Sequence, residues 1–330
     1  MLTHWPNYAE AEHSIAMSRT ADTWREMKRN RNAYLFISPF YLVFLLFMLV
    51  PILYSFTLSF QHWNGIMDSR WVGLRNYRLA FQDGGFLNAL RNTALFTGLT
   101  VLLSTYLSLA LALFLNTVRV LKRFYRAVFF VPAIVSLVVV SLVWKLVLNS
   151  EVGLLTESFS SFGRWWGTTF GTVPEWTQQG FHFLDHPNPV VPLLTITMVN
   201  IWTVVGFNTV IYLAGLQSIP RYLYEASRID GATVFQNLRY ITMPLLMPTT
   251  FFVVLVSTID ALQVFVLPKV MKGDSEATMT VVYYLYQNAF EYYKMGYASA
   301  IAYLLFALTV ALGFVLRMTL GRKANQLLSD

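Results

Sequence analysis

The sequence has no cysteine, so it has no disulfide, no thiol nucleophile and no cysteine-ligated metal. It is also short of charge. Only 12% of its 330 residues are charged, against 56% hydrophobic, and a soluble domain normally carries about 25% charged residues. No G-x-x-x-x-G-K-[ST] stretch is present, which removes a P-loop cradle for nucleotide phosphates. The five histidines form no H-E-x-x-H pair. His182 and His186 are four apart, but Pro187 and Pro189 argue against a helix that would put them on one face. No Ser/His/Asp set can be defended. Residues 1–34 are polar and lack an apolar core, so no cleavable signal is expected and the first membrane span acts as its own insertion signal. The net charge of +7 points toward nucleic acid only until its distribution is read: the basic residues gather in alternate loops between apolar blocks.

Those blocks have membrane-spanning length. A helix needs about 20 apolar residues to cross about 30 Å of hydrocarbon, and six segments qualify: Tyr34–Phe60, Thr93–Asn116, Ala127–Leu148, Val190–Leu216, Leu245–Pro268 and Tyr297–Leu316. The expected fold is all-α and integral to the bilayer, with a tail at 1–33, a transmembrane domain at 34–318 and a second tail at 319–330. Pro39 and Pro51 in the first span and Pro132 in the third predict bends or helix ends.

Orientation follows from Lys and Arg in the loops. The N-terminal tail holds Arg19, Arg25, Lys28, Arg29 and Arg31, the second-to-third loop Arg119, Lys122, Arg123 and Arg126, and the C-terminal tail Arg317, Arg322 and Lys323. Loop 149–190 has only Arg164 against Glu151, Glu157, Glu175 and Asp185. Both termini are therefore expected in the cytoplasm, with the segment after the fourth span. A helix from Ala21 to Asn32 would present its basic residues to the lipid surface. Trp63, Trp71, Trp165, Trp166 and Trp176 read either as an interfacial belt or as a docking surface outside.

The segment after the fourth span, Ser218 to Pro248, is the longest amphipathic stretch between two very apolar spans. Ser218 can cap a helix with Pro220 in its first turn. Tyr222, Leu223, Ala226 and Ile229 recur at helical spacing, Asp230-Gly231 suits a turn, and a second short helix is expected from Thr233 to Tyr240. Glu225-Ala226-Ser227, then Asp230-Gly231-Ala232, then Ile241-Thr242-Met243-Pro244 resembles the EAA loop of ABC importer permeases. Ser227 and Met243 replace an alanine and a leucine of that pattern. The wider frame AGLQSIPRYLYEASRIDGA is similar to the maltose-type sugar branch. Further likeness lies in Val72–Tyr77, Asn92-Thr93, Phe124–Pro132, Tyr286–Phe290 and Gly296–Ala300, while Val270–Asp274 departs from the family's usual turn.

The resemblance implies a six-span type I importer permease with both termini cytoplasmic. It also implies that Glu225, Ala226, Ser227, Arg228, Asp230, Gly231 and Ala232 couple it to an ATPase. In that reading Glu225 is the charged contact, Gly231 the turn, and Arg228 and Asp230 supporting contacts or an internal pair. The implied partners are a second homologous permease, two ATPase subunits, an extracytoplasmic sugar-binding protein and the bilayer, with no nucleic acid. No cofactor is expected on this chain, ATP and Mg belonging to the ATPase.

Polar residues inside spans usually face an interior path, because lipid cannot solvate them. The fourth span carries Asn200, Trp202, Thr203 and Asn208, the fifth Ser257, Thr258, Asp260 and Gln263. Hydroxyl-matching groups with an aromatic face suit a sugar. By the resemblance, Asn200, Phe207 and Ser257 fall at sugar-contacting positions, while Asp260 and Ala261 depart from the family there. The alternative for Asn200 and Ser257 is hydrogen bonding between helices. Asp260 disfavours an anion beside it, whereas Lys145, Lys269 and Lys272 favour one nearer the outside. The substrate is therefore left open between neutral sugars and acidic ones such as alginate fragments. A secondary transporter coupled through Asp260 would show span repeats, and none is seen; a membrane enzyme would need a catalytic cluster.

Overall fold

Lipid offers backbone amides no partner, so apolar runs of this length close their hydrogen bonds internally as helices. The computed structural model follows that rule. It describes residues 29–66, 68–117, 122–171, 182–272 and 276–321. Several expectations lie outside the described residues: the N-terminal tail as far as Lys28, Arg119, Glu175, Trp176, Asp274, and the C-terminal tail from Arg322. The chain forms two compact units, one ending at Thr57 and the other beginning at Leu58.

The first helix, α1 (Arg31–Leu58), belongs to the first unit as far as Thr57, with a π-helical turn at Leu45–Leu49 and Pro39 accommodated inside it. No residue of its most apolar window is buried.

The second unit opens with a small hairpin, β1 (Gln61–His62) and β2 (Arg70–Trp71), antiparallel with Gln61 opposite Trp71. The helices follow as α2 (Arg75–Gln82), α3 (Gly84–Thr117), α4 (Lys122–Ile134), α5 (Leu137–Val147), α6 (Leu154–Phe170) and α7 (Val190–Ser218). Then come α8 (Arg221–Ile229), α9 (Val234–Asn237), α10 (Met247–Leu262), α11 (Val266–Val270), α12 (Val281–Tyr286) and α13 (Met295–Leu316). Among the described residues, five helices are long and apolar enough to cross a membrane, and six if the bent pair α4–α5 counts as one span.

Two span expectations need correction. The second helix begins at Gly84 rather than near Thr93. Asp83 sets that start: its Oδ1 accepts the Gly85 amide at 2.9 Å, so the helix nucleates outside the apolar run. The third span is not continuous from Ala127 to Leu148. It breaks between Ile134 and Leu137, and its halves meet at 102°. Pro132 removes an amide and crowds the preceding turn; Ser136, with ψ 128°, leaves helical conformation and restarts the chain as α5.

The spans pack through small polar residues, as helices do where lipid gives no hydrophobic drive. Thr93, Thr97, Thr100, Ser104 and Ser108 run down the buried face of α3, which packs along α7. Gly206 brings α7 against α4, and an added Cβ there would overlap the Phe129 carbonyl oxygen.

Several stretches singled out by resemblance have plain structural duties. Asn76 Nδ2 donates to the carbonyls of Ser59 and Gln61, each at 2.9 Å, and Tyr77 donates to Ser59 Oγ at 2.7 Å. Asn92 Nδ2 donates to the Ala277 and Met279 carbonyls at 3.1 and 3.0 Å, and Thr93 Oγ1 accepts the Val281 amide at 2.9 Å. These bonds fasten α2 and α3 to segments distant in sequence.

Asp83 adds a further clamp. Its Oδ2 accepts hydroxyls from Tyr284 and Tyr297, both at 2.6 Å. Partial burial opposes the charge, but the two tyrosines and the Gly85 and Phe86 amides outweigh it, leaving the carboxyl below its ordinary pKa. Burial and then the carboxylate push Tyr284 up to about 12. A depressed folded pKa gives stability that is present above the unfolded value near 3.9 and lost as pH falls through the folded one. Asp83→Asn is therefore expected to cost about 1–2 kcal/mol after discount for solvent screening. The apparent Tm in detergent should fall by about 2–6 °C at pH 7, and the gap should close below about pH 4. An equal gap at all pH values would show that the charge contributes nothing.

Candidate functional site

Two places gather the residues of interest. The first is a cavity of about 400 Å³ among α3, α4, α5, α7, α10 and α11. The broken third span shapes it: Pro132, Ala133, Val135 and Leu137 form one wall. Irregular backbone at membrane depth is tolerated where it lines such a space.

Asn200, Thr203 and Phe207 reach it from α7, at i, i+3 and i+7 on one helix face. Ser257, Asp260 and Gln263 reach it from α10 and its end. Trp202 does not. It sits on another face of α7, 46% exposed, edge-on to Trp144 with ring centroids 5.6 Å apart. Thr100, Asn208 and Phe265 also line the cavity. Asn208 was visible as a polar residue in a span. Thr100 could have been found from the hydroxyl-bearing face of α3; Phe265 lies just beyond Gln263 with no signal of its own.

Hydrogen bonding sorts these groups. Asn208 Nδ2 donates to Ser257 Oγ at 3.1 Å, tying α7 to α10, so the helix-joining alternative describes Ser257. Thr203 Oγ1 donates to the Asn200 carbonyl at 2.7 Å. The side chains of Asn200, Asp260 and Gln263 take no hydrogen-bond partner among the described residues and remain for a ligand or for water.

The second place is the segment after α7. Ser218 does not cap α8; it ends α7, donating to the Gly215 carbonyl at 2.8 Å, and Pro220 occupies the cap position. Helix α8 closes in a Schellman motif. The Gly231 amide reaches Arg228 O at 3.1 Å and the Ala232 amide reaches Ser227 O at 2.9 Å. Gly231 takes φ +76°, which explains glycine at this turn. Thr233 then caps α9 reciprocally with Gln236, and the helix runs on through a π turn at Leu238–Thr242, two residues past Tyr240.

The apolar positions of α8 divide between two faces. Leu223 and Tyr224 pack on the cluster around Tyr212, Leu216 and Leu246, Ser227 is buried, and Tyr224 Oη lies 2.9 Å from Thr242 Oγ1. Tyr222, Ala226 and Ile229 are exposed on the other face, with Glu225 beside them. Ile229 and Val234 are each 87% exposed and Phe235 67%. Arg228 and Asp230 form no ion pair with each other, so that alternative is withdrawn. Ser227, Asp230, Gly231 and Ala232 border a cleft of about 360 Å³ with Asn237 and Tyr240. Among the described residues, no group of three His, Asp or Glu side chains converges as a metal site.

Residues 104–323 match the family described as "binding-protein-dependent transport system inner membrane component". The chain belongs to that family. It is thus a multi-pass permease component of an ABC importer, and ATP hydrolysis is not its task. The permease is 30% identical over 312 residues to the arabinooligosaccharides transport system permease AraP of Bacillus subtilis, covering 92% of this chain and 93% of that one. It is 32% identical over 290 residues to the trehalose/maltose transport system permease MalF of Thermococcus litoralis, covering 86% and 91%. A bacterial ABC transporter involved in the import of the acidic polysaccharide alginate has the same fold, with a TM-score of 0.78 at 22% identity over 91% of this permease and 99% of that chain. Among the described residues, five apolar helices plus the bent pair α4–α5, broken between Ile134 and Leu137, accord with this assignment.

Proposed function

We propose that this permease conducts a sugar or oligosaccharide, released by an extracytoplasmic binding protein, through the cavity beside the broken third span. The observation that carries the proposal is the convergence of Asn200, Asp260 and Gln263, none held by another side chain, with Phe207 and Phe265 on one cavity. Polar groups that fix hydroxyls and aromatic faces that stack on a ring are what a sugar needs, and the volume falls in the range of small-molecule sites. The substrates for which similar permeases are named, arabinooligosaccharides and trehalose or maltose, support the same class.

Transport is by alternating access. Two ATPase subunits close on ATP and Mg and move the α8–α9 segment, whose exposed face of Tyr222, Glu225, Ala226 and Ile229 docks on them. Arg228, Asp230, Gly231 and Ala232 complete the coupling turn. Leu223 and Tyr224 carry the motion inward, because they are packed on α7 and the chain leading into α10. A second homologous permease closes the path. Both termini and the coupling segment face the cytoplasm, where the excess of Lys and Arg lies.

The test is purification of the tagged permease from its native host, followed by ATPase assay with a sugar panel and the binding protein. Co-purification of an ATPase and a second permease, with hydrolysis stimulated by one sugar class, is the expected result. A lone protein that moves solute without ATP would overturn the reading in favour of ion coupling through Asp260.

A further inference from the structure

The cavity carries a charge that sugar binding alone does not require. Among the described residues, Asp260 is the one ionisable side chain on its lining, and no Lys, Arg or His lines it. The carboxylate has no hydrogen bond and no ion pair among the described residues, and the residue is exposed to the space rather than sealed in the packing. None of the three lysines that left substrate charge open in the sequence lies on the lining, although Lys269 sits near the Phe265 ring that does. Lys269 Nζ lies 3.6 Å from the Tyr286 ring centroid and 5.2 Å from that of Phe265. Lys145 Nζ donates to the Lys272 carbonyl at 3.4 Å, and neither lysine is on the lining. The one opposing feature is the start of α5 at Leu137, whose unpaired amides amount to about half a positive charge at most. A full negative charge outweighs it.

We propose that Asp260 is a specificity residue that rejects anions: the cavity takes an uncharged or amino-bearing sugar and turns away uronic acids, sugar phosphates and sulfonates. This rests on the sugar-conducting reading and narrows it. Discrimination here works by building an unpaired charge against the wrong ligand, not by improving contacts to the right one. An anionic ligand group about 8 Å from Asp260 at an effective dielectric near 20 is disfavoured about thirtyfold. An ammonium at the same distance is favoured by a like factor.

The experiment is equilibrium binding to the detergent-solubilised permease complex without its binding protein, so that delivery does not mask the cavity's own preference. The probes are a neutral disaccharide that the complex takes up and its uronic acid counterpart of the same size. The wild type should bind the neutral sugar at least about tenfold more tightly. Asp260→Asn should bring the two within about threefold whatever it does to the neutral sugar's own affinity, and Asp260→Lys should reverse the order. A ratio unchanged by Asp260→Asn, or a wild type that prefers the uronate, overturns the proposal. So does dissociation of the complex on Asp260→Asn, which would assign the carboxylate to an ion pair with another subunit. Failure of the wild type to take up any sugar with ATP counts instead against the sugar-importer reading. A uronate preference in a complex that does take up sugar counts against this inference alone.

Discussion

Gly206→Ala is expected to remove most of the folded permease from the membrane, although alanine is the better helix former. At this position α7 crosses α4 backbone to backbone, and the added Cβ would overlap the Phe129 carbonyl oxygen. A backbone oxygen held inside a helix cannot swing aside as a side-chain end can, so the helices must part. Overpacking of this kind costs about 1–3 kcal/mol or more, and each 1.4 kcal/mol is tenfold in the folded population. The site suffers with the fold, because Phe207, next to Gly206, and Pro132, three residues past Phe129, both line the cavity. The monodisperse fraction on size exclusion in detergent should fall about tenfold or more, and uptake with it. Gly84→Ala is the control, since a Cβ there meets nothing within 4 Å. Equal yields from the two variants would show that the close crossing does not matter.

The spans were legible because a run of about 20 apolar residues has no soluble alternative. Their ends were less so. The second helix starts early because Asp83 caps it, and a cap is a local event that hydropathy does not register. Pro132 announced a bend in the third span, but the 102° angle depends on Ser136 adopting an extended backbone. In the site, Asn200 and Thr203 were picked as polar residues within a span and Phe207 by family resemblance, and the structure brings the three to one face of α7 on the cavity. Trp202 was included for its chemistry alone, although it lies about 200° around the helix from Asn200 and meets Trp144 instead. Ser257 turned out to be engaged by Asn208, a pairing that only the α7–α10 approach decides. Helix α8 makes the more general point. Its apolar spacing was readable, but periodicity cannot tell whether a stripe packs on its own chain or on another. The structure divides the two roles, with Leu223, Tyr224 and Ser227 turned inward and Tyr222, Ala226 and Ile229 outward.

That division makes Glu225→Lys the sharpest test of coupling. Glu225 is exposed and makes no bond to the rest of the chain among the described residues, so reversing its charge should leave the fold and the permease pairing untouched. It lies on the outward face of α8 with Tyr222 and Ile229, the surface that docks on the ATPase in the proposed mechanism. Losing a desolvated charge pair at an interface costs about 2–5 kcal/mol, which is a factor of about 30 or more in affinity. ATP-dependent uptake and sugar-stimulated hydrolysis should fall at least that far, with wild-type amounts of permease in the membrane and a weakened hold on the ATPase subunits. Glu225→Gln should fall less, because it removes the attraction without adding repulsion. Replacing the facing basic residue of the ATPase with glutamate should restore activity to Glu225→Lys and to no other variant. Uptake at the wild-type rate with lysine in place would mean that the outward face of α8 does not carry the drive from ATP, and would move the search for coupling to the cleft beside Asn237.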